Sequence, residues 1–467
     1  MSTTETLAKL IAEMKNDSMP TEVLEAAKAV ILDGIGVMLA GSREEPARIV
    51  ADYVRDMGGN SLCSVFGQGF STSPVMAAFA NGVAGHVLDY EVMWYPATHP
   101  TSPTLPPILA LAEMHGSKIS GKDALAALVV GFEVQGRLRL ASANLVAGAG
   151  FHPPGLVGVM GSAAASSRLL GLDSHKTRMA LAISASRAGA LSANIGTMTK
   201  STHCGNAARM GLESALLAAR GFTGNEEIME HPTGYARVLF GEGFDLEAVT
   251  QGFGNPYRLV DPGVAIKKHP SQYGTHRGID AALELRQRYP IQPEKIASVR
   301  IETPVMPYVS RPFPSTGLEG KFSFQYTVAA ALLDGAVTID TFTDERRFAV
   351  DMEEMLNKTD LYMNPEIPAN FEEMWASVEV SMGDGQAYTV RCDRPRGIWG
   401  NPLTREERLT KFRSCASLVL SHEAVERCIE VVEGLENAKS LQELIYLMRS
   451  AQTRMRDDRF GVDRKAG

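Results

Sequence analysis

Four short segments join titratable side chains to Gly and Pro, the composition of loops that carry function. The first runs His86-Val-Leu-Asp89-Tyr-Glu-Val-Met93-Trp94-Tyr95-Pro-Ala-Thr98-His99-Pro100. A carboxylate such as Asp89 near an imidazole such as His99 raises its basicity and fixes its tautomer, as general acid–base work requires. The competing reading is that His99 buttresses a helix beginning near Pro106. The second segment, Gly148-Ala-Gly-Phe-His152-Pro153-Pro154-Gly155, precedes an apolar small-residue helix. Helix N-termini attract anions, and His152 could donate to a carboxylate there; a structured turn with a surface histidine is the equal alternative. The third, Gly196-Thr-Met-Thr199-Lys200-Ser-Thr-His203-Cys204-Gly205-Asn206, sets a cation, hydroxyls and an imidazole before a helix predicted over 206–220. Such a run could clamp one carboxylate. A His203/Cys204 nucleophile pair is disfavoured, because adjacent residues rarely face each other and no third orienting group is evident. The fourth has two parts, Lys267-Lys268-His269-Pro270-Ser-Gln-Tyr-Gly-Thr-His276 and Arg311-Pro-Phe-Pro-Ser with Lys321-Phe-Ser-Phe-Gln-Tyr326. Both offer groups able to close over an anion, although Lys267 and Lys268 read first as plain surface charge.

Other chemistries lack their motifs. HxxxH pairs, closely spaced Cys/His and carboxylate clusters are absent from the sequence, so no metal is expected. No GxGxxG follows a strand and no Walker A lysine is present, which disfavours nucleotide cofactors; a GxSxG elbow is also missing. The net charge is −8 with no basic stripe, so nucleic acid is not an expected partner. An acidic protein that binds a polyanion must gather its few cations locally. Five scattered cysteines without a CxxC pair favour a reducing compartment, and the N-terminus has no signal-peptide pattern. Ala124–Phe132 and the other apolar stretches are too short to span a bilayer. A cytoplasmic, soluble protein is the expectation.

The elements that must position these groups divide by texture. A chain of 467 residues exceeds what one core usually holds. Up to about residue 264 the pattern is helical and rich in Ala, Gly and Ser: Thr21–Ala40 after Pro20, Ala124–Leu138 after the start signal Ser120-Gly-Lys-Asp123, Gly161–Leu170 before Gly171, and the helix closed by Gly221. Residues 265–401 read as α+β. Ala297–Glu302 alternates like a strand, and Ser377–Met382 with Ala387–Arg391 flank the turn Gly383-Asp384-Gly385. Between them lie helical stretches over 322–333 and 343–357. Residues 402–467 return to helix, predicted over 405–454. The expected fold is mainly α, a large helical domain built from both chain ends with a smaller inserted α+β lid.

Six motifs in this order, LDGIGVMLAG, GHVLDY with THP, GFHPPG with GSAAASSRLLGL, GTMTKSTHCGNAARMGLE, the TH of QYGTH, and FSFQY, resemble the MmgE/PrpD family over nearly the whole chain. That family includes 2-methylcitrate dehydratases, cis-aconitate decarboxylases and iminodisuccinate epimerases. The resemblance implies the same helical body and lid, a homodimer, no cofactor, and a lyase acting on a small polycarboxylic acid. WYPATHP, FHPPG and RPFP are most similar to the decarboxylase branch, with dehydratase or epimerase as alternatives and a non-catalytic dicarboxylate-binding protein as the other class. The motifs imply active-site positions at Asp89, His99, His152, Lys200, His276 and Tyr326. We assign proton transfer to His99, oriented by Asp89, and carboxylate binding to Lys200 and His152, with Tyr326 and His276 assisting. His203, Thr98 and Lys268 are expected to help bind substrate. Met93 stands where the decarboxylases carry threonine, and Tyr95 where a histidine is frequent. A thioether cannot donate to a carboxylate.

Overall fold

The structure is a computed structural model that describes residues 1–15, 19–142 and 150–449. Gly148 and Ala149 of the second loop, and residues 450–454 of the last predicted helical stretch, lie outside the described residues.

Helices Thr21–Gly41, Pro74–Val87, Thr101–His115 and Gly121–Ala141 supply most of the largest apolar core. Leu409, Phe412, Val425, Ile429 and Leu444, from near the other end of the chain, pack into the same core. The body is therefore mainly helical and built from both ends. Local signals explain several helix starts. Ser120 and Asp123 form a reciprocal capping box, which satisfies two otherwise orphaned N–H groups. Gly171, at φ +63°, closes the helix Val159–Leu169.

Two starts differ from expectation. The helix predicted over 206–220 already begins at Thr199, so Lys200, His203 and Cys204 sit on its first turns rather than in a loop. The helix expected near Pro106 begins at Thr101 and runs through Pro106 and Pro107. Burial of the whole Thr101–Ala112 face outweighs the two missing N–H donors.

The second region carries a four-stranded sheet with strand order β4-β3-β5-β6, where β3 is Ile296–Thr303, β4 Thr359–Met363, β5 Ala376–Met382 and β6 Ala387–Cys392. β3 runs parallel to β4 and antiparallel to β5, and β5–β6 is the predicted hairpin. Helices His276–Arg288 and Phe324–Asp334 cover the sheet, and Ile279, Leu285, Ile301, Val328 and Val378 form its core. The helical stretch expected over 343–357 is two short helices, Asp344–Arg347 and Val350–Leu356. Thr343 caps the first of them. Strand β4 was not predicted, nor was the small hairpin of β1 (Cys63–Val65) and β2 (Phe70–Thr72) in the body. Three to five residues hold too little alternation to read as strand. Among the described residues, no helix is long and apolar enough to cross a membrane.

One contact between helices matters most for the site. A Cβ placed on Gly82 would lie 2.8 Å from Gly205 Cα, so helices Pro74–Val87 and Thr199–Ala219 touch backbone to backbone. That approach brings His86, in the last turn of the first helix, beside Lys200 in the first turn of the second.

Candidate active site

The helix Pro74–Val87 ends at Leu88, and Asp89 follows at φ +49°, the one positive φ of a non-glycine among the described residues. Aspartate tolerates this left-handed region better than most side chains. The turn directs Asp89 and Glu91 back toward the helix end. His86 Nδ1 contacts Glu91 Oε1, which also accepts from Ser102 Oγ at 3.2 Å. His99 hangs between the two acids, with Nε2 3.6 Å from Asp89 Oδ1 and Nδ1 3.5 Å from Glu91 Oε1.

Two ammonium groups converge on Asp89. Lys200 Nζ lies 3.3 Å from Asp89 Oδ1 and 2.8 Å from His86 Nε2. Lys267 Nζ donates to Asp89 Oδ1 at 2.9 Å and to the carbonyls of Asp89 and Ser271 at 2.7 and 3.1 Å. Lys267 reaches this position because Met93 and Ala265 pair as an antiparallel bridge, which draws residues 265–267 alongside the first motif. His152 is held by a bond from its N–H to Ala190 O at 2.9 Å, and its Nδ1 is 3.1 Å from His203 Nδ1.

Asp89, Thr98, His99, His152, Lys200 and Lys267 line one cavity of about 160 Å³. Met93, Ile195, Phe322 and Phe371 line the same cavity and make it partly apolar. Thr98 Oγ1 and Tyr273 Oη, also at the lining, are buried without a hydrogen-bond partner. Native proteins rarely leave such groups unpaired, so a polar ligand in this cavity is the natural partner.

Burial opposes the charge on Asp89, yet Lys200 and Lys267, helped by His99 and His86, hold its carboxyl well below the usual range. Glu91 is likewise held down, by His86 and Lys267 against burial. For His99 the balance is reversed. Burial pushes it well below its ordinary value, Asp89 pulls it up, and Lys267, His86 and Lys200 push it further down. His152 is also well below its ordinary value, through burial and Lys200, and His203 falls to about 4 from burial and His86. The site thus favours the ionised form of Asp89 and Glu91 and the neutral form of His99, His152 and His203, whereas the carboxylate neighbour alone would have raised His99. Burial was not visible in the spacing.

Several predicted residues stand elsewhere. Lys268 is half-exposed and faces Asp280 at 3.8 Å, whereas its neighbour Lys267, read as surface charge, is fully buried on Asp89. Tyr326 belongs to the core under the sheet, and its hydroxyl donates to Thr341 O. It does not line the cavity. His276 is fully buried behind Tyr273, with ring centroids 5.0 Å apart and neither ring nitrogen hydrogen-bonded. Cys204 is buried, and burial pushes its thiol well above the ordinary range, which disfavours a nucleophilic role. Lys200, expected in a polar loop ahead of the helix, is buried on the helix itself, so replacing it also disturbs a buried charge. His86, Glu91, Lys267 and Tyr273 were missed; the one signal for Glu91 was its spacing of two from Asp89.

The expectation that no carboxylate cluster exists is also corrected. His86, Asp89, Glu91 and His99 offer four donor atoms within 4.8 Å of one another. This set does not fit a dication, because two lysine ammoniums already sit on Asp89 and one of them also occupies His86 Nε2, so a cation there would meet two fixed positive charges. Dialysis against a strong chelator is expected to leave the rate unchanged; activity lost and then restored by zinc or magnesium would contradict this.

An imidazole between two ionised acids, beside fixed ammoniums in a partly apolar cavity, is the equipment of acid–base chemistry on an anion. The chain belongs to the MmgE/PrpD family: the family's N-terminal domain matches residues 5–247 and its C-terminal domain residues 269–437. It is 37% identical to a cis-aconitate decarboxylase of Mus musculus over 96% of this chain and 93% of the relative. It is 36% identical to that of Homo sapiens, over 96% and 95%. A mitochondrial 2-methylcitrate dehydratase of Yarrowia lipolytica is 28% identical over 73% of this chain and 68% of its own. Decarboxylases and dehydratases are both lyases, the enzyme class to which this chain belongs.

Proposed function

We propose that the protein is a cofactor-independent carbon–carbon lyase of the cis-aconitate decarboxylase type. The observation that carries this reading is the convergence of Lys200, Lys267, His99 and His152 on one cavity, in a chain similar along its length to two such enzymes. In this reading Lys200 and His152 hold substrate carboxylates, and Lys267, whose three donors are taken by Asp89 and Ser271, adds positive charge beside them. The carbon–carbon bond to one carboxylate breaks, its electron pair stays on the substrate carbon, and carbon dioxide leaves. His99 then delivers a proton to that carbon, steadied by Asp89 and Glu91. Substrate carboxylates bring negative charge beside His99, which raises its proton affinity when the ligand binds.

The sign of that shift gives a pH prediction. Free His99 is held well below its ordinary value, so its protonated form is lost at low pH in the free enzyme and at higher pH in the complex. The descending limb of kcat/KM, which reports the free enzyme, is expected at lower pH than that of kcat, which reports the complex. Coincident limbs would contradict the role.

A dehydratase of the 2-methylcitrate type is the second reading, supported by Met93 in the cavity lining and by the dehydratase relative. Incubation with cis-aconitate, 2-methylcitrate, citrate and iminodisuccinate, followed by proton NMR, separates the possibilities. Itaconate supports decarboxylation, and new olefinic signals from the citrates mean dehydration. Configurational exchange of iminodisuccinate means epimerisation, and silence with measurable binding means a binding protein.

Two further parts of the proposal concern setting. The five unpaired cysteines favour a reducing, cytoplasmic location. Homodimerisation through the helical body is supported by the exposed stripe Ile49, Tyr53 and Met57 on the helix Glu45–Met57. Light scattering is expected to give twice the 50.4 kDa of one chain; a single-chain mass across micromolar concentrations would count against it.

A further inference from the structure

A second, smaller cavity meets the first at Lys200. It shares Asp89, Lys200 and Phe322 with the catalytic cavity, and it adds His86, Ser201 and Lys321. Its volume is about 20 Å³, enough for one water, which needs roughly 10–15 Å³ and two to four polar partners. Thr197 and Met198, also at its wall, are exposed, so the cavity lies one turn from solvent.

Lys321 has no part in the mechanism above. It is buried, and its Nζ donates to Leu88 O at 3.1 Å. An ammonium has three donors, and this bond uses one. Lys321 comes from the sheet-bearing region and Leu88 from the helical body, so the lysine spans the boundary immediately beside Asp89. Burial pushes its ammonium down to about 8, with Glu44 and Asp89 pulling up and Lys267 and Lys200 pushing down. Such a lysine exchanges its proton more readily than an ordinary one.

On the far side of Lys200 the polar contacts continue. Lys200 Nζ meets His86 Nε2 at 2.8 Å, His86 Nδ1 meets Glu91 Oε1, and His99 Nδ1, which has no hydrogen bond of its own, stands 3.5 Å from Glu91 Oε1. His86 and Glu91 do not line the catalytic cavity, whereas the groups at the two ends of this chain, Lys200 and His99, do.

We infer that the small cavity holds one ordered water bonded by Lys200 and Lys321, and that Lys321 feeds protons through it to Lys200. The need for such a route rests on the lyase reading: each decarboxylation forms one C–H bond and consumes one proton, while the substrate fills the catalytic cavity. When Lys200 has passed a proton toward His86 and His99, the water gives one to Lys200 Nζ and takes one from Lys321 Nζ. Lys321 is recharged from solvent near Thr197. Only protons move, and the sum is one proton from bulk water to the substrate carbon.

Two experiments test this. A crystal structure that resolves waters is expected to show one bonded to both Nζ atoms; a dry cavity, or Lys321 turned away, overturns the inference whether or not the lyase reading stands. The second uses Lys321→Met, which keeps the stem and removes the exchangeable protons. Its kcat is expected to fall roughly tenfold or more, less than for loss of a direct general acid, with KM nearly unchanged. In Lys321→Ala, which removes the stem and leaves room for a small amine, added methylamine should restore part of the rate. A kcat close to that of the parent, or a loss that methylamine does not relieve, overturns the relay.

Discussion

His99→Asn is expected to keep the fold and much of the ligand affinity while lowering kcat about a hundred- to ten-thousandfold, the usual contribution of a general acid or base. Asparagine is close in size and still hydrogen-bonds, but it does not titrate. The fold should survive because both carboxylates beside His99 have stronger partners. Asp89 keeps Lys200 and Lys267, and Glu91 keeps His86 and Ser102. Affinity should largely survive because the ammonium groups are untouched. Glu91→Gln should give a related, smaller defect in kcat, since Glu91 acts on the substrate only through His99. Asp89→Asn is a less clean probe than its place beside His99 suggests, because it also strips the countercharge from two buried lysines. Steady-state kinetics with matched thermal melts decide the point. Near-normal turnover in His99→Asn would move the proton-transfer role to His152.

The second large effect concerns a pair of adjacent lysines. Lys267→Met should destabilise the protein by several kcal/mol, within the roughly 3–5 kcal/mol typical of breaking a buried ion pair. Lys268→Met should change stability by no more than about 0.5 kcal/mol, the usual range for a surface site. Lys267 is fully buried with its three hydrogen bonds on Asp89 and Ser271, whereas the Lys268 side chain is 42% exposed. Removing Lys267 leaves Asp89 buried with Lys200 as its remaining ammonium, and the carbonyls of Asp89 and Ser271 lose their donor. Urea unfolding of the two variants side by side measures the contrast. Equal shifts would mean that Lys267 is not the anchor of Asp89.

These two lysines also show how far the sequence could be read. Residue types and motif order identified the family and the mainly helical plan, and they placed Asp89, His99, His152 and Lys200 among the groups that meet in the cavity. They could not tell Lys267 from Lys268, because identical neighbours differ only in which one the Met93–Ala265 bridge turns inward. Tyr326 stands away from the cavity for a related reason. A phenol in FSFQY is equally suited to a site or to a core, and here the helix Phe324–Asp334 turns it onto Thr341. Lys200 was read as a loop residue because Thr, Ser and Gly around it are poor helix formers, yet close packing at Gly82 and Gly205 carries the helix through them. The depressed imidazoles were illegible for the same reason as the buried lysine: desolvation depends on the whole fold, not on the neighbours in sequence.

The central claim, that this cavity decarboxylates a small unsaturated polycarboxylate, is tested most directly by the gas it must release. Purified protein is incubated with cis-aconitate, and carbon dioxide and itaconate are quantified together, with His99→Asn as the parallel control. The account predicts one carbon dioxide per itaconate from the parent protein and a rate lower by at least about a hundredfold from the variant. Consumption of substrate without carbon dioxide, or equal release from both proteins, would contradict it.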